Sequence, residues 1–153
     1  MKRFISVALI CVMLITMSAC GAKEEAKQVD LNAVYEGFGS YLPEMFSMDA
    51  ETMLNFLGID MADCVQAVVS VSGDGMRADE VWLIEAKDEA ALEKLKELAQ
   101  IRIVAKEDET ISYAPDQYEI VTQAQLLTNG NYLALLISPD VAQLKTLFEA
   151  AFN

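Results

Sequence analysis

The residues able to do chemistry gather around one loop and one pair of aromatic-rich segments. Asp74, Asp79, Glu80 and Glu85 crowd residues 74–85, and Asp116 lies farther on. Two carboxylates can divide acid and base work at a glycosidic bond without help from histidine. Other hydrolytic schemes are excluded more firmly, because the chain has no histidine. That removes Ser-His-Asp and Cys-His nucleophiles and nearly every catalytic zinc pattern. Asp74, Asp79 and Glu80 together suggest Ca²⁺, which takes loop carboxylates, but their spacing does not follow the calcium-loop pattern. Gly73-Asp74-Gly75 could present backbone N–H groups to an anion, although a hairpin turn is the plainer use of such a triplet. Met45, Met48 and Met53 offer thioether sulfur at helical spacing, where methionine ordinarily fills a core. No residue is assigned a catalytic role, and no metal or cofactor is expected.

The aromatic residues with polar tips are the more informative set. Trp82, Tyr113, Tyr118 and Tyr132, with Asp79 and Glu80, are the candidate recognition surface for a basic or neutral ligand, since such aromatics are favoured where one end is apolar and the other wet. The alternative is that they seal the core where a short helix meets a sheet.

The elements that would position these residues can be read from periodicity. Asp30 caps a helix over 31–42, with Leu31, Val34, Tyr35, Phe38 and Leu42 at spacings of three and four. Asp49 caps a second, short helix that Gly58 stops. Val65 to Ser72 alternates as a half-buried strand, and Glu80 to Ala86 is a strand apolar on both sides, which requires cover on both faces or an exposed aromatic patch. Asp88 opens a long helix over 89–106, carrying Leu92, Leu95, Leu98, Ala99 and Ile103. In it Arg102 and Lys106 favour the C-terminal end of the helix dipole. Pro115 starts a short helix to Thr122. Asn129-Gly130 between apolar runs is a strong hairpin mark, joining Gln125–Thr128 to Asn131–Ser138. Ser138-Pro139-Asp140 opens a last helix with Val141, Leu144, Leu147 and Phe148 on one face. The order α-α-β-β-α-α-β-β-α predicts an α+β fold: a two-layer domain with a four-stranded, mainly antiparallel sheet packed on helices.

The first twenty residues set the expected location. Met1-Lys2-Arg3 is basic, Phe4 to Met17 is an uncharged apolar run, and Ser18-Ala19-Cys20-Gly21 closes it with small residues. This is the form of an export signal, shorter than the roughly 20 apolar residues that span a bilayer. The expected boundaries are a lipoprotein signal peptide over 1–19, a lipidated Cys20 at the start of a tether over 20–28, and one domain over 29–153. An ordinary secretory signal cut near Ala19 and an uncleaved anchor are the competing readings. Cys11 would leave with the signal and Cys20 would carry lipid. Cys64 would then stand alone, so no internal disulfide is expected; a small, buried apolar role suits it. The chain carries 11 Lys and Arg against 24 Asp and Glu, a net −13, and losing Lys2 and Arg3 would make it more acidic still. Such a surface repels nucleic acid and anionic lipid.

Several segments resemble a known family. Leu57-Gly58-Ile59-Asp60, the run Arg77 to Ala86, Tyr113-Ala114-Pro115-Asp116-Gln117-Tyr118, and Gly130-Asn131-Tyr132 leading to Ser138-Pro139-Asp140 are similar to the uncharacterised lipoproteins of Gram-positive bacteria grouped as domain of unknown function 4358. The resemblance covers about residues 29–152. It implies a class and a location at the cell envelope, and it implies no catalytic residue.

These readings converge on a membrane-anchored extracytoplasmic lipoprotein at the outer face of the cell membrane, acting as a non-catalytic module. Its expected partners are the membrane, through the lipid anchor, and a cell-surface protein or small ligand, with no nucleic acid. A carboxylate-dependent envelope hydrolase and a structural spacer without a ligand are the alternatives.

Overall fold

The computed structural model describes residues 28–153. The expected signal segment, Cys20 and the tether up to residue 27 lie outside the described residues. In chain order the elements are α1 (Leu31–Phe38), β1 (Met45–Ser47), α2 (Ala50–Thr52, continued by a π-helical turn over Met53–Leu57), β2 (Cys64–Ser72), β3 (Glu80–Ala86), α3 (Glu89–Ile111), α4 (Pro115–Thr122), β4 (Gln125–Asn129), β5 (Tyr132–Ile137) and α5 (Val141–Ala150). Single 3₁₀ turns over Gly39–Tyr41 and Met61–Asp63 link them. No helix among the described residues is long and apolar enough to cross a membrane.

The expected α+β class holds, with an antiparallel sheet packed on helices. Its strand order is β1-β2-β3-β5-β4, and every neighbouring pair is antiparallel. The sheet has five strands rather than four. The extra one, β1, is a three-residue edge strand pairing Met45 with Ser72 and Ser47 with Ser70. Met-Phe-Ser is too short to show alternation, and its Phe46 is exposed, so the segment carries no detectable period.

Helices also cover both faces rather than one. β3 and β5 lie side by side in the interior of the sheet, and their residues alternate between two cores. Trp82, Ile84, Leu133 and Leu135 pack with Leu92, Leu95 and Ala99 of α3. Val81, Leu83, Ala134 and Leu136 pack with Leu31 and Phe38 of α1 and Leu144 and Phe148 of α5. This is the cover on both sides that the two apolar faces of Glu80–Ala86 require. Each fully buried Val, Leu, Ile or Phe among these side chains adds roughly 1.5–3 kcal/mol.

The caps are where the sequence places them. Asp30 accepts from the Asn32 amide at 2.9 Å, Asp49 from Thr52 at 2.8 Å and Asp88 from Ala91 at 2.8 Å. Gly58 closes the π turn at φ +72°, and a Cβ there would meet Leu98 Cδ2 at 3.2 Å. α1 ends at Phe38, earlier than expected, because Gly39 breaks it into the 3₁₀ turn. α3 runs five residues past its expected end, through Glu107-Asp108-Glu109-Thr110 to Ile111. That polar run has no apolar stripe, yet Thr110 Oγ1 donates to the Lys106 carbonyl at 2.7 Å and Arg102 reaches Glu109, so the helix continues.

Candidate ligand-binding site

Glu80 begins β3, and its side chain turns toward α3 with Trp82, two residues on. Both are fully buried. The Trp82 indole Nε1–H donates to Glu80 Oε1 at 2.7 Å. From α3, Arg102 and Lys106, one turn apart, reach the same carboxylate. Arg102 Nε donates at 3.0 Å to Oε1 and Nη2 at 2.9 Å to Oε2, while Lys106 Nζ stands 3.2 Å from Oε2. A buried carboxylate survives only when paired and hydrogen-bonded, and Glu80 has a guanidinium, an ammonium and an indole. Burial works against the Arg102 charge, but Glu80 and then Glu109 outweigh it and hold the guanidinium above its ordinary value. Arg102 Nη1 lies 3.5 Å from Glu109 Oε1, so the network extends from a sealed interior to an exposed carboxylate.

The loop before β3 is fastened to this network. Lys106 Nζ donates to the Ala78 carbonyl at 2.7 Å, and the Ala78 amide donates to Gln117 Oε1 of α4 at 2.8 Å. Helices α3 and α4 therefore grip one peptide unit on each side of Ala78. Next to it, Arg77 Nε donates to Asp79 Oδ2 at 3.0 Å, which raises the Arg77 pKa. Asp79 is fully buried, and its Oδ1 has no hydrogen-bond partner among the described residues; nor does the buried Ser70 Oγ. The β3 ladder continues past Glu80, with the Ser72 amide donating to the Asp79 carbonyl at 2.9 Å.

Between the β2–β3 loop and the α3–α4 junction lies a cavity of about 240 Å³, whose wall includes Met76, Arg77, Lys106, Glu109 and Tyr113. A larger, more apolar groove of about 470 Å³ lies between α1 and α5, lined by Val29, Val34 and Leu147 among others.

The six residues of the expected recognition surface do not form one surface. Trp82 belongs to the α3-side core and Tyr132 to the opposite one, both buried. Asp79 and Glu80 are wholly enclosed, Tyr118 is half-buried, and only Tyr113 is open, at 85% exposure. Tyr132 serves the fold instead. Its hydroxyl accepts from the Val29 amide at 3.1 Å, and its ring meets Phe152 edge-on. The expected grouping fails because strand membership alone does not say which face of the sheet Trp82 and Tyr132 occupy. The fold does bring Glu80 and Trp82 together, and sets Tyr113 on the wall of the cavity.

Arg77, Arg102, Lys106 and Glu109 belong to the site without having been expected there. The sequence holds a signal for two of them. Positions 92, 95, 99, 102 and 106 follow steps of three and four, so Arg102 and Lys106 continue the buried stripe of Leu92, Leu95 and Ala99. The expected dipole role at a helix end does not hold for them, because α3 runs on to Ile111. The loop carboxylates have separate uses: Asp74 Oδ1 accepts from the Met76 amide at 2.9 Å within the turn, while Asp79 and Glu80 hold different arginines. Glu85 accepts from Gln66 at 2.7 Å.

The family model described as domain of unknown function (DUF4358) matches residues 39–138. No curated protein and no solved structure matches the chain. The matched stretch includes every residue of the Glu80 network and of the polar cavity, whereas the apolar groove is lined mainly by residues outside it.

Proposed function

Because this chain belongs to the DUF4358 family, for which no activity is described, we propose from its own geometry that it is a non-catalytic binding module. It holds a small ligand in the polar cavity between the β2–β3 loop and the α3–α4 junction. The observation that carries this reading is Arg77. Its Nε is fixed on the buried Asp79, and its two terminal nitrogens have no partner among the described residues, on the wall of a cavity. A guanidinium locked at one end and open at the other is a preorganised donor pair. The buried Glu80 network behind it holds the Ala78 backbone still, as a site supported by rigid elements requires.

Binding fits the carboxylates better than hydrolysis does. Asp79 and Glu80 have no exposure and each is held by an arginine. A glycosidase needs two carboxyl groups flanking an accessible bond.

The location belongs to the same proposal. The basic start, the apolar run and Cys20 favour a diacylated lipoprotein on the outer face of the membrane, with two chains sufficient for stable anchoring. Its resemblance to lipoproteins of Gram-positive bacteria supports the same placement. Mass spectrometry of the N-terminal peptide tests it: two acyl chains on Cys20 are expected, and an unmodified Cys20 or an uncleaved signal overturns the anchor.

The binding role is tested by thermal shift of the full-length chain in detergent against sugars, peptides, amino acids, metals and metabolites. A ligand at 100 times its Kd stabilises by about 2.7 kcal/mol. The expected result is a ligand whose shift disappears in Arg77→Gln. A shift that survives both Arg77→Gln and Glu109→Gln places binding elsewhere and overturns the cavity, and a flat response across the panel favours a spacer.

A further inference from the structure

The cavity's charges also select among ligand classes. Resting on the binding reading above, we infer that the cavity takes a small zwitterion, an α-amino acid or the end of a short peptide, with its carboxylate on Arg77 and its ammonium on Glu109.

Three observations carry this. First, the open edge of Arg77 is the Nη pair, the geometry that receives a carboxylate bidentately. Second, Glu109 is largely exposed and accepts no hydrogen bond among the described residues; its one ionic contact is Arg102 at 3.5 Å from Oε1. It is therefore able to receive an ammonium group. Third, the same cavity has Met76 and Tyr113 on its wall, 72% and 85% exposed, which supply apolar contact for a side chain.

Charge balance excludes the simpler ligands. Arg77 is matched by Asp79, and Arg102 and Lys106 are matched by Glu80 and Glu109. With Asp74 also within electrostatic reach of Arg77, the site has no excess of positive charge while presenting a positive edge and a negative edge. A phosphate or other multivalent anion gains Arg77 but meets Glu109 and a chain of net charge −13. A divalent cation finds one open carboxylate, with Arg77 and Lys106 on the same wall. A zwitterion meets both edges and adds no net charge. Lys106 takes no direct part, since its ammonium is engaged by the Ala78 carbonyl and Glu80. The volume of about 240 Å³ is below the roughly 300–1,000 Å³ of sites for drug-sized molecules, which limits the ligand to a few heavy atoms beyond the zwitterion.

The test is calorimetry on the full-length chain in detergent with the common amino acids and a set of dipeptides. For the tightest binder, two blocked forms are added: the carboxamide, which lacks the carboxylate, and the N-acetyl derivative, which lacks the ammonium. The inference expects each block to weaken binding at least tenfold. Arg77→Gln should abolish discrimination against the carboxamide, and Glu109→Gln should abolish discrimination against the N-acetyl form, with circular dichroism confirming that both variants are folded. A dipeptide tighter than either free amino acid identifies a peptide end as the source; the reverse order identifies the free amino acid. Blocked forms that bind within twofold of the parent overturn the zwitterion. So does the absence of any amino-acid or dipeptide binding when another compound gives a shift sensitive to Arg77→Gln, and in that case the cavity stands. If no compound of any class gives a shift sensitive to Arg77→Gln or Glu109→Gln, the cavity reading itself fails.

Discussion

Arg102 Nε and Nη2 close on the Glu80 carboxylate at 3.0 and 2.9 Å from one turn below Lys106, so two cations on one helix share a single buried anion. Removing that anion leaves Arg102, Lys106 and the Trp82 indole without their common acceptor. Breaking a buried pair from one side costs about 3–5 kcal/mol. Glu80→Ala is expected to lower stability by that order in urea unfolding. Arg102→Met should cost less, because Lys106 and Trp82 still satisfy Glu80. Equal losses for the two variants would show that Lys106 does not share the charge.

This network also shows what is and is not legible in the sequence. Asp30, Asp49 and Asp88 are legible as caps because capping depends on local backbone donors, and the β4–β5 hairpin is legible because its turn needs positive φ, which Gly130 adopts at +54°, although the turn is Gly130-Asn131 rather than Asn129-Gly130, with Asn129 ending β4 opposite Tyr132. The burial of Glu80, Arg102 and Lys106 is harder to read: the spacing carries the α3 stripe through both cations, but an ion pair inverts the usual link between polarity and exposure, so polar residues in that register do not announce themselves as buried. The edge strand β1 is invisible because its pairing with β2 is a long-range contact of three residues. Trp82 and Tyr132 mislead as a pair because a strand has two sides, and only the packed fold shows which side each ring takes.

The pair of lysines on Asp63 gives a pH dependence with a definite sign. Lys94 Nζ lies at 2.6 Å and Lys87 Nζ at 2.9 Å, and these bonds hold the Asp63 carboxyl below its ordinary value. A lowered carboxylate adds stability above its unfolded pKa of about 3.9, and that stability is lost as pH falls through the lower folded value. The melting temperature of Asp63→Asn should fall below wild type at pH 7, with the gap closing toward pH ~2 and narrowing in about 1 M salt. A gap independent of pH would mean that the lysines do not act on Asp63 through charge.

Cys64 is expected to be a slow thiol. Its Sγ donates to the Asp60 carbonyl at 3.5 Å, and burial, followed by Asp63 and Asp60, pushes its pKa up. The thiolate is the reactive form. Iodoacetamide should label Cys64 in the folded chain more slowly at pH 8 than the same residue in urea. Equal rates in the two states would remove the effect of its surroundings.

Ser70 offers a substitution that runs against the usual trend. Its hydroxyl is buried with no hydrogen-bond partner among the described residues, beside a ladder already complete through its backbone pairing with Val81. Removing an unsatisfied buried hydroxyl to leave a methyl removes a desolvation penalty of about 1–3 kcal/mol and a small packing contribution. Ser70→Ala should leave the urea midpoint unchanged or raise it. A clear fall would reveal a partner for that oxygen.

The chain enters the fold through a polar clamp that holds the backbone of Val29 and Leu31. Gln66 Oε1 accepts from the Leu31 amide at 3.0 Å, Gln66 Nε2 donates to the Val29 carbonyl at 2.8 Å, and the Tyr132 hydroxyl accepts from the Val29 amide. Val29 and Leu31 are buried, so these backbone groups have no water to replace a lost partner. Tyr132→Phe removes one acceptor and should cost about 1 kcal/mol. Gln66→Ala strands both a donor and an acceptor and should cost more. Both variants should speed hydrogen exchange at the Val29 or Leu31 amide while the amides of Leu83 and Leu135 keep their protection, because the clamp can open without separating β3 from β5. Exchange that rises equally at all four positions would mean that the entry segment and the sheet unfold as one unit.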